Sequence, residues 1–385
     1  MSLLFLFFIL IGCETEKVPQ EEPQIETGAQ QMQTYLPVLE GKRVGLTVNH
    51  TSKIGDTHLV DTLIGRNISV VSVFGPEHGF RGQASDGEKI ADDSTENYQI
   101  ISLYGKKRKP SPEDLSGIDI MVFDIQDVGT RFYTYISTMH YVMEACAEND
   151  VQVIILDRPN PNGFYVDGPM REEGFESFVG MHPIPVVHGL TVGELAQMIN
   201  NEGWLKNGAK CDLLIIPNKN YTHADRWHVP DSPSPNLPNN VSIGWYPTLC
   251  FFEGTKMSIG RGTHFPFQVI GYPDPSFGSF EFTPVSIEGV SKYPKFENEL
   301  CFGLDLRQKP PPGQIDLSFI ISFYEKFEDK ESFFITSFNR LAGTDKLQEQ
   351  IKNGWSESKI RSSWESDLAG YEVMRKKYLL YPDFE

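Results

Sequence analysis

Glu77, Asp124, Asp127 and Asp157 are the carboxylates of this 385-residue chain whose spacing points to chemistry. Each lies at or just beyond the end of a short apolar run. The runs pass into Asn49-His50, then Gly75-Pro76-Glu77-His78-Gly79, then the stretch from Asp124 to Arg131, then Asp157 to Gly163. Turn formation alone accounts for any one such end, since Asp, Asn, Gly and Pro all favour turns. Four of them on one edge of a parallel sheet would surround a common crevice, because ligands bind outside the carboxyl ends of such strands. His50, His78, Arg131 and Arg158 would stand beside the carboxylates. Carboxylates among Asn, Arg, Tyr and Trp suit a sugar pocket. Glycoside hydrolysis needs one carboxylic acid to protonate the leaving oxygen, usually with a second carboxylate as nucleophile or base.

Other chemistries lack their signatures. No G-x-G-x-x-G follows the first strand, and G-x-x-x-x-G-K-[ST], G-x-S-x-G and H-E-x-x-H do not occur. Ser356 and Lys359 form an S-x-x-K in a polar, late, helical setting, where chance explains it. A metal site made from Glu77, His78 and the aspartates is the weaker reading, because neighbours on an extended chain point apart. The second half adds the polar loops Pro233-Ser234-Pro235-Asn236, Glu253-Gly254-Thr255 and Gly260-Arg261-Gly262-Thr263-His264. For Arg261 and Glu253 an ion pair and a functional role weigh equally. Tyr133, Tyr135, Trp245 and Tyr246 fit core packing better than sugar platforms, and His188 and His264 fit satisfied histidines.

The elements that must position these groups follow from hydrophobic period. Arg43 to Val48, Ile68 to Phe74, Ile118 to Asp124, Val151 to Leu156 and Asp212 to Ile216 read as strands. His58 to Gly65 and Tyr133 to Glu148 read as helices. Thr191 with Glu194 forms a capping box that opens a further helix, and Gly203 closes it. Near-continuous Val/Ile runs alternating with helices predict an α/β fold, a Rossmann-like parallel sheet covered on both faces. Residues 229–240 are rich in Pro, Ser and Asn, as a linker or ordered loop is. Beyond them, helices at Ile315 to Phe327, Thr344 to Lys352 and Ser358 to Tyr378 predict a second, smaller α+β domain over 241–385, after a first domain over 35–240.

Composition narrows the classes. Lys plus Arg is 34 against 52 Asp plus Glu, a net charge of −18, which repels nucleic-acid phosphates. Five scattered cysteines without a CxxC argue against a disulfide scaffold or structural zinc. Leu3 to Ile11 is too short to span a bilayer, which takes about 20 residues, but suits a signal-peptide core. It runs into Gly12-Cys13, which looks like a bacterial lipobox, although Met1-Ser2 carries no basic residue. Residues 14–34 read as an unpacked Glu/Gln/Pro-rich tether. The expectation is a lipoprotein of the bacterial cell envelope, periplasmic or on the outer membrane, anchored through Cys13.

Eight segments carry a wider resemblance. They are VNHTS (48–52), FGPEHGFRG (74–82), FDIQDVGTRFYTYISTM (123–139), LDRPNPNG (156–163), VDGP (166–169), PSPN (233–236), FEGT (252–255) and GRGT (260–263). In this order they resemble the DUF1343 family, the NamZ-type exo-β-N-acetylmuramidases, over roughly residues 36 to 385. The resemblance implies a Rossmann-like domain joined to a smaller one with the site between them. It also implies release of N-acetylmuramic acid from the non-reducing end of peptidoglycan fragments, without a cofactor.

By the same resemblance Glu77 is the leading catalytic carboxylate. Asp127 and Asp157 stand for a base or a positioning role, or the sugar's own N-acetyl group attacks the anomeric carbon. Arg131, Arg158 and Arg261 stand for partners of the lactyl carboxylate, because guanidinium forks suit carboxylates. Asn49, His78, Asp124, Tyr133 and Asn160, with Asn236, Glu253 and Thr263, are the remaining expected pocket residues. In GRGTHFPF, His264 and Phe265 depart from the family's Thr or Ser and Arg. Two other readings stay open at this point: an envelope protein that binds muramyl glycans without cleaving them, and a metal-dependent hydrolase.

Overall fold

The computed structural model describes residues 24–77, 79–80, 93–94 and 98–384; Cys13 and His78 lie outside the described residues. Its main sheet has seven strands: β1 (Arg43–Val48), β2 (Ser69–Gly75), β3 (Asp93–Ser94), β4 (Gln99–Ser102), β5 (Ile120–Asp124), β6 (Gln152–Leu156) and β7 (Leu213–Ile216). They lie in the order β3-β4-β2-β1-β5-β6-β7. Six run parallel and only the edge strand β3 pairs antiparallel, with β4. The parallel strands follow the doubly wound order, with its switch point between β1 and β5. Val48 stands opposite Asp124 there.

Both faces of the sheet are apolar, which is why the strands read as unbroken runs. In β5, Ile120 and Val122 join a core with Tyr35 and Leu39 of α1 (Met32–Leu39) and Leu59 and Leu63 of α2 (Leu59–Gly65). Met121 and Phe123 join the opposite core with Met139 and Met143 of α3 (Tyr135–Glu148) and Leu195 and Ile199 of α4 (Val192–Asn201). Thr191 and Glu194 close the expected capping box on α4.

The second, smaller domain begins with α5 (Asn240–Leu249) and carries an antiparallel sheet. In that sheet β10 (Cys301–Asp305) lies between β8 (Val269–Tyr272) and β9 (Phe280–Phe282). Phe251, Phe323 and Phe338 from this half belong to the same core as α3 and α4, so the two domains share one apolar interior.

Two expectations need correction, and one helix went unread. Residues 24–34 are not an unpacked tether: Glu26 bridges Lys219, Ala29 is buried, and Tyr35 Oη donates to Ala29 O. The helix α5 was hidden by Pro247, which cannot donate to Ile243 O; Asn162 Nδ2 donates to that carbonyl instead. The single helix expected over 358–378 is two, Glu357–Ser362 and Glu365–Arg375. Ser363 Oγ bonds back to Ile360 O and Trp364 turns into the core at the break.

Candidate active site

Glu77 is presented by a turn that the strand end enforces. β2 ends at Gly75, and a Cβ there would come within 2.9 Å of Phe80 N. Gly79, at φ +73°, donates back to Pro76 O and closes the turn. The half-buried Glu77 side chain leaves this turn and lines a cavity of about 490 Å³. Thr134 Oγ1 lies 3.1 Å from Glu77 Oε2 and donates to it. Thr134 sits at the N-cap of α3 yet makes no side-chain cap bond, so its hydroxyl serves the carboxylate.

The cavity walls come from both domains. The first contributes Glu77, Tyr104 and Phe132 to Tyr135; the Pro-rich loop contributes Ser234 and Asn236; the second contributes Tyr246, Glu253, Arg261, Phe267 and Ser291 to Tyr293. Tyr133 and Tyr135 both donate to Pro233 O, at 2.9 and 3.2 Å, which fixes the loop against α3. Their rings meet edge to face, and Tyr133 meets Tyr246 in the same way. Arg261 Nε donates to Glu253 Oε1 at 2.9 Å, and its guanidinium lies over the Phe267 ring. The Tyr293 ring, 82% exposed, stands at the rim.

Several expected site residues are instead held in closed networks away from this cavity. Arg158 grips both oxygens of Asp124, at 2.6 and 2.9 Å, with both residues buried. Asn49 Oδ1 accepts from the backbone and hydroxyl of Thr51, and Ser52 Oγ donates to Asp124 O. These bonds tie the polar groups at the β1/β5 switch point to one another, and the cavity that Glu77 lines takes in none of Asp124, Asp127 and Asp157. Asp157 accepts from Thr191 Oγ1, Gly193 N, Arg158 N and Tyr381 Oη, which seal it under the C-terminal tail. Burial pushes its pKa up to about 6.

Asp127 lies buried, accepts from Gly129 N through Oδ2, and leaves Oδ1 without a partner; burial pushes its pKa up to about 7. It does not line the cavity. Arg131 is wholly buried and donates to Pro169 O, Ile184 O, Leu341 O and Ala342 O, pinning the second domain to the first. Desolvation lowers its pKa to about 9. Asn160 bonds Leu190 O and Asn162 N. Thr263 Oγ1 donates to Gly260 O and shapes the turn behind Arg261.

Of the residues expected from sequence, the cavity therefore brings together Glu77, Tyr133, Asn236, Glu253 and Arg261. Thr134, Tyr104, Lys292 and Tyr293 were missed. Thr134 lies inside the FDIQDVGTRFYTYISTM segment and could have been flagged by its place before α3; nothing in the local sequence marks Lys292 or Tyr293. Among the described residues, no three His, Cys, Asp or Glu side chains converge as metal ligands.

Fold and site define a two-domain α/β protein whose doubly wound sheet presents a carboxylate to a cleft completed by a second domain. Comparison with known proteins narrows this. Residues 44–241 match the family described as Exo-beta-N-acetylmuramidase NamZ, N-terminal, and residues 244–381 match its C-terminal counterpart. The chain belongs to this NamZ family. It is 38% identical over 388 residues to the peptidoglycan beta-N-acetylmuramidase NamZ of Bacillus subtilis (strain 168), covering 94% of this chain and 92% of that one. Two crystal structures of DUF1343 family proteins from Bacteroides fragilis NCTC 9343 superpose on it. Their TM-scores are 0.87 and 0.81, at 44% and 30% identity, with 94% of this chain and all of each neighbour covered.

Proposed function

We propose that this protein is an exo-acting glycoside hydrolase that releases N-acetylmuramic acid from the non-reducing end of peptidoglycan fragments, in cell-wall turnover. The observation that carries this reading is one cavity lined by both a carboxylate and a guanidinium, Glu77 and Arg261, on walls from different domains. Family membership supports the substrate class, and the B. subtilis relative supports the linkage.

In this reading Glu77 protonates the leaving glycosidic oxygen, with Thr134 holding its far oxygen so that the other faces the sugar. Arg261 meets the lactyl carboxylate that distinguishes muramic acid from glucosamine, and the Glu253 partner keeps the guanidinium in place. Tyr133, Tyr246 and Phe267 supply the apolar walls that a sugar ring needs. The group that attacks or screens the anomeric carbon is either Glu253, the other carboxylate among the described residues of the cavity wall, or the substrate's own N-acetyl oxygen. Cys13 would anchor the protein to an envelope membrane as a lipidated residue, a reading supported by the lipobox-like run before it. A chromogenic N-acetylmuraminide tested beside the matching N-acetylglucosaminide decides the function. Release from the first and not the second is expected; binding without release makes the protein a muramyl-glycan receptor.

A further inference from the structure

Lys295 has no place in the chemistry above, yet its ammonium sits in an unusual environment. Nζ lies 2.7 Å from Thr255 O and 3.2 Å from each of Phe252 O, Glu253 O and Met257 O. Three N–H donors are thus shared among four main-chain carbonyls that converge on one centre. Such carbonyl cages replace the hydration shell of alkali cations in other proteins. Here the cation is covalently attached.

The cage matters because of what it is built from. The carbonyls belong to the short 3-10 turn Cys250–Gly254, which carries Glu253, and to the loop that follows it. Glu253 in turn holds Arg261. The residue before Lys295 packs against the turn that carries Arg261: a Cβ on Gly262, the next residue along, would strike Pro294 at 2.7 Å. Three residues immediately upstream, Ser291, Lys292 and Tyr293, line the cavity. One lysine therefore ties together the Glu253 loop, the Arg261 turn and the cavity rim. Burial pulls its pKa below the usual lysine value, while the Glu253 carboxylate pulls it back up.

We infer that Lys295 is a positioning residue, an internal monovalent cation that fixes the Glu253 loop so that Arg261 faces the sugar carboxylate. The functional part rests on the reading of Arg261 given above; the cage does not.

Two variants of the full chain test it. Lys295→Ala empties the cage, and Lys295→Met removes the charge while filling the space. Both should raise KM for the muraminide about tenfold, the worth of one charge-assisted contact, with kcat much less affected. Only Lys295→Ala should recover when ammonium or potassium replaces tetramethylammonium at constant ionic strength, and its melting temperature should rise with the same ions. The parent should ignore the exchange. A Lys295→Ala variant whose KM and melting temperature are indifferent to every cation overturns the inference. If Lys295→Ala does not fold, Lys295→Met decides: a parental KM overturns the positioning role. If the parent itself cleaves no muraminide, the proposed function fails, and the melting response of Lys295→Ala still judges the cage.

Discussion

Thr134 Oγ1 donates to Glu77 Oε2 across 3.1 Å, linking the first turn of α3 to the carboxylate at the end of β2. A threonine at a helix N-cap ordinarily turns its hydroxyl onto the helix's own amides. Here that bond is absent and the helix start is served by the Thr134 carbonyl, which accepts from Ser137 and Thr138. The hydroxyl is left to orient Glu77 within the cavity, and the same helix brings Tyr135 to the wall.

Glu77→Gln keeps the shape of the side chain and cannot donate or accept a proton in the reaction. Loss of general acid–base help lowers kcat by about a hundred- to ten-thousand-fold. Circular dichroism and melting temperature should match the parent, because Glu77 is half-buried on a turn whose closure is a backbone bond. Parental turnover in the Gln variant would remove Glu77 from the mechanism.

Thr134→Val is isosteric and deletes only the hydrogen bond to the carboxylate. A hydrogen bond to a charged group contributes about 1.5–3 kcal/mol, so kcat should fall about tenfold or more with KM little changed. Thr134→Ser restores the donor and should restore turnover. Equal rates for the Val and Ser variants would leave Thr134 with no part in orienting Glu77.

Asp127 predicts a stability effect with a defined sign. Its ordinary pKa is 3.8, and burial pushes the folded value up to about 7. Between these values the unfolded chain has released the proton and the folded chain has not. The contribution is therefore fully present below the unfolded value and is lost as pH rises through the folded one. Asp127→Asn cannot ionise, so its melting temperature should gain on the parent by several degrees between pH 4 and pH 8. A difference that stays constant, or shrinks, across that range would contradict the buried assignment.

The sheet was legible because strands buried on both faces must be apolar throughout, and five of the six parallel strands were read to within two residues of their observed ends. β4 went unread: polar Gln99 and Ser102 bracket Ile100 and Ile101, so its four residues make no continuous apolar run. Helix α4 was legible from Thr191 and Glu194, whose reciprocal bonds depend on a local spacing. Glu77 was legible for the same reason, since a strand followed by Pro-Glu-x-Gly is a turn. The arginines were not separable by sequence. Arg131 spends both terminal nitrogens on carbonyls up to 211 residues away, and Arg158 is claimed by Asp124 across 34. Only the folded chain tells an Arg held by such partners from one that lines a cavity.

The address of the protein is a separate matter from its chemistry. If Cys13 carries a lipid, Cys13→Ala should shift the protein from the membrane fraction to the soluble envelope fraction while its specific activity stays unchanged. A Cys13→Ala protein that still sediments with membranes would rule out anchoring at this residue.

Specificity turns on a single ether-linked carboxylate, and of the three arginines named from sequence only Arg261 lines the cavity. Its guanidinium is bonded at Nε by Glu253 and backed by the Phe267 ring, a setting that presents a planar fork rather than a point charge. Arg261→Lys keeps the charge and loses the fork. It should raise KM for the muraminide about tenfold and change any slow cleavage of the glucosaminide much less, since that sugar has no carboxylate to bind. Arg131→Lys and Arg158→Lys should behave otherwise. An ammonium cannot reach all four carbonyls around Arg131 or both oxygens of Asp124, so these variants should melt at lower temperature with the ratio of kcat/KM for the two sugars preserved. If Arg261→Lys keeps the parental ratio while one of the other two alters it, the carboxylate is read outside this cavity and the assignment of Arg261 fails.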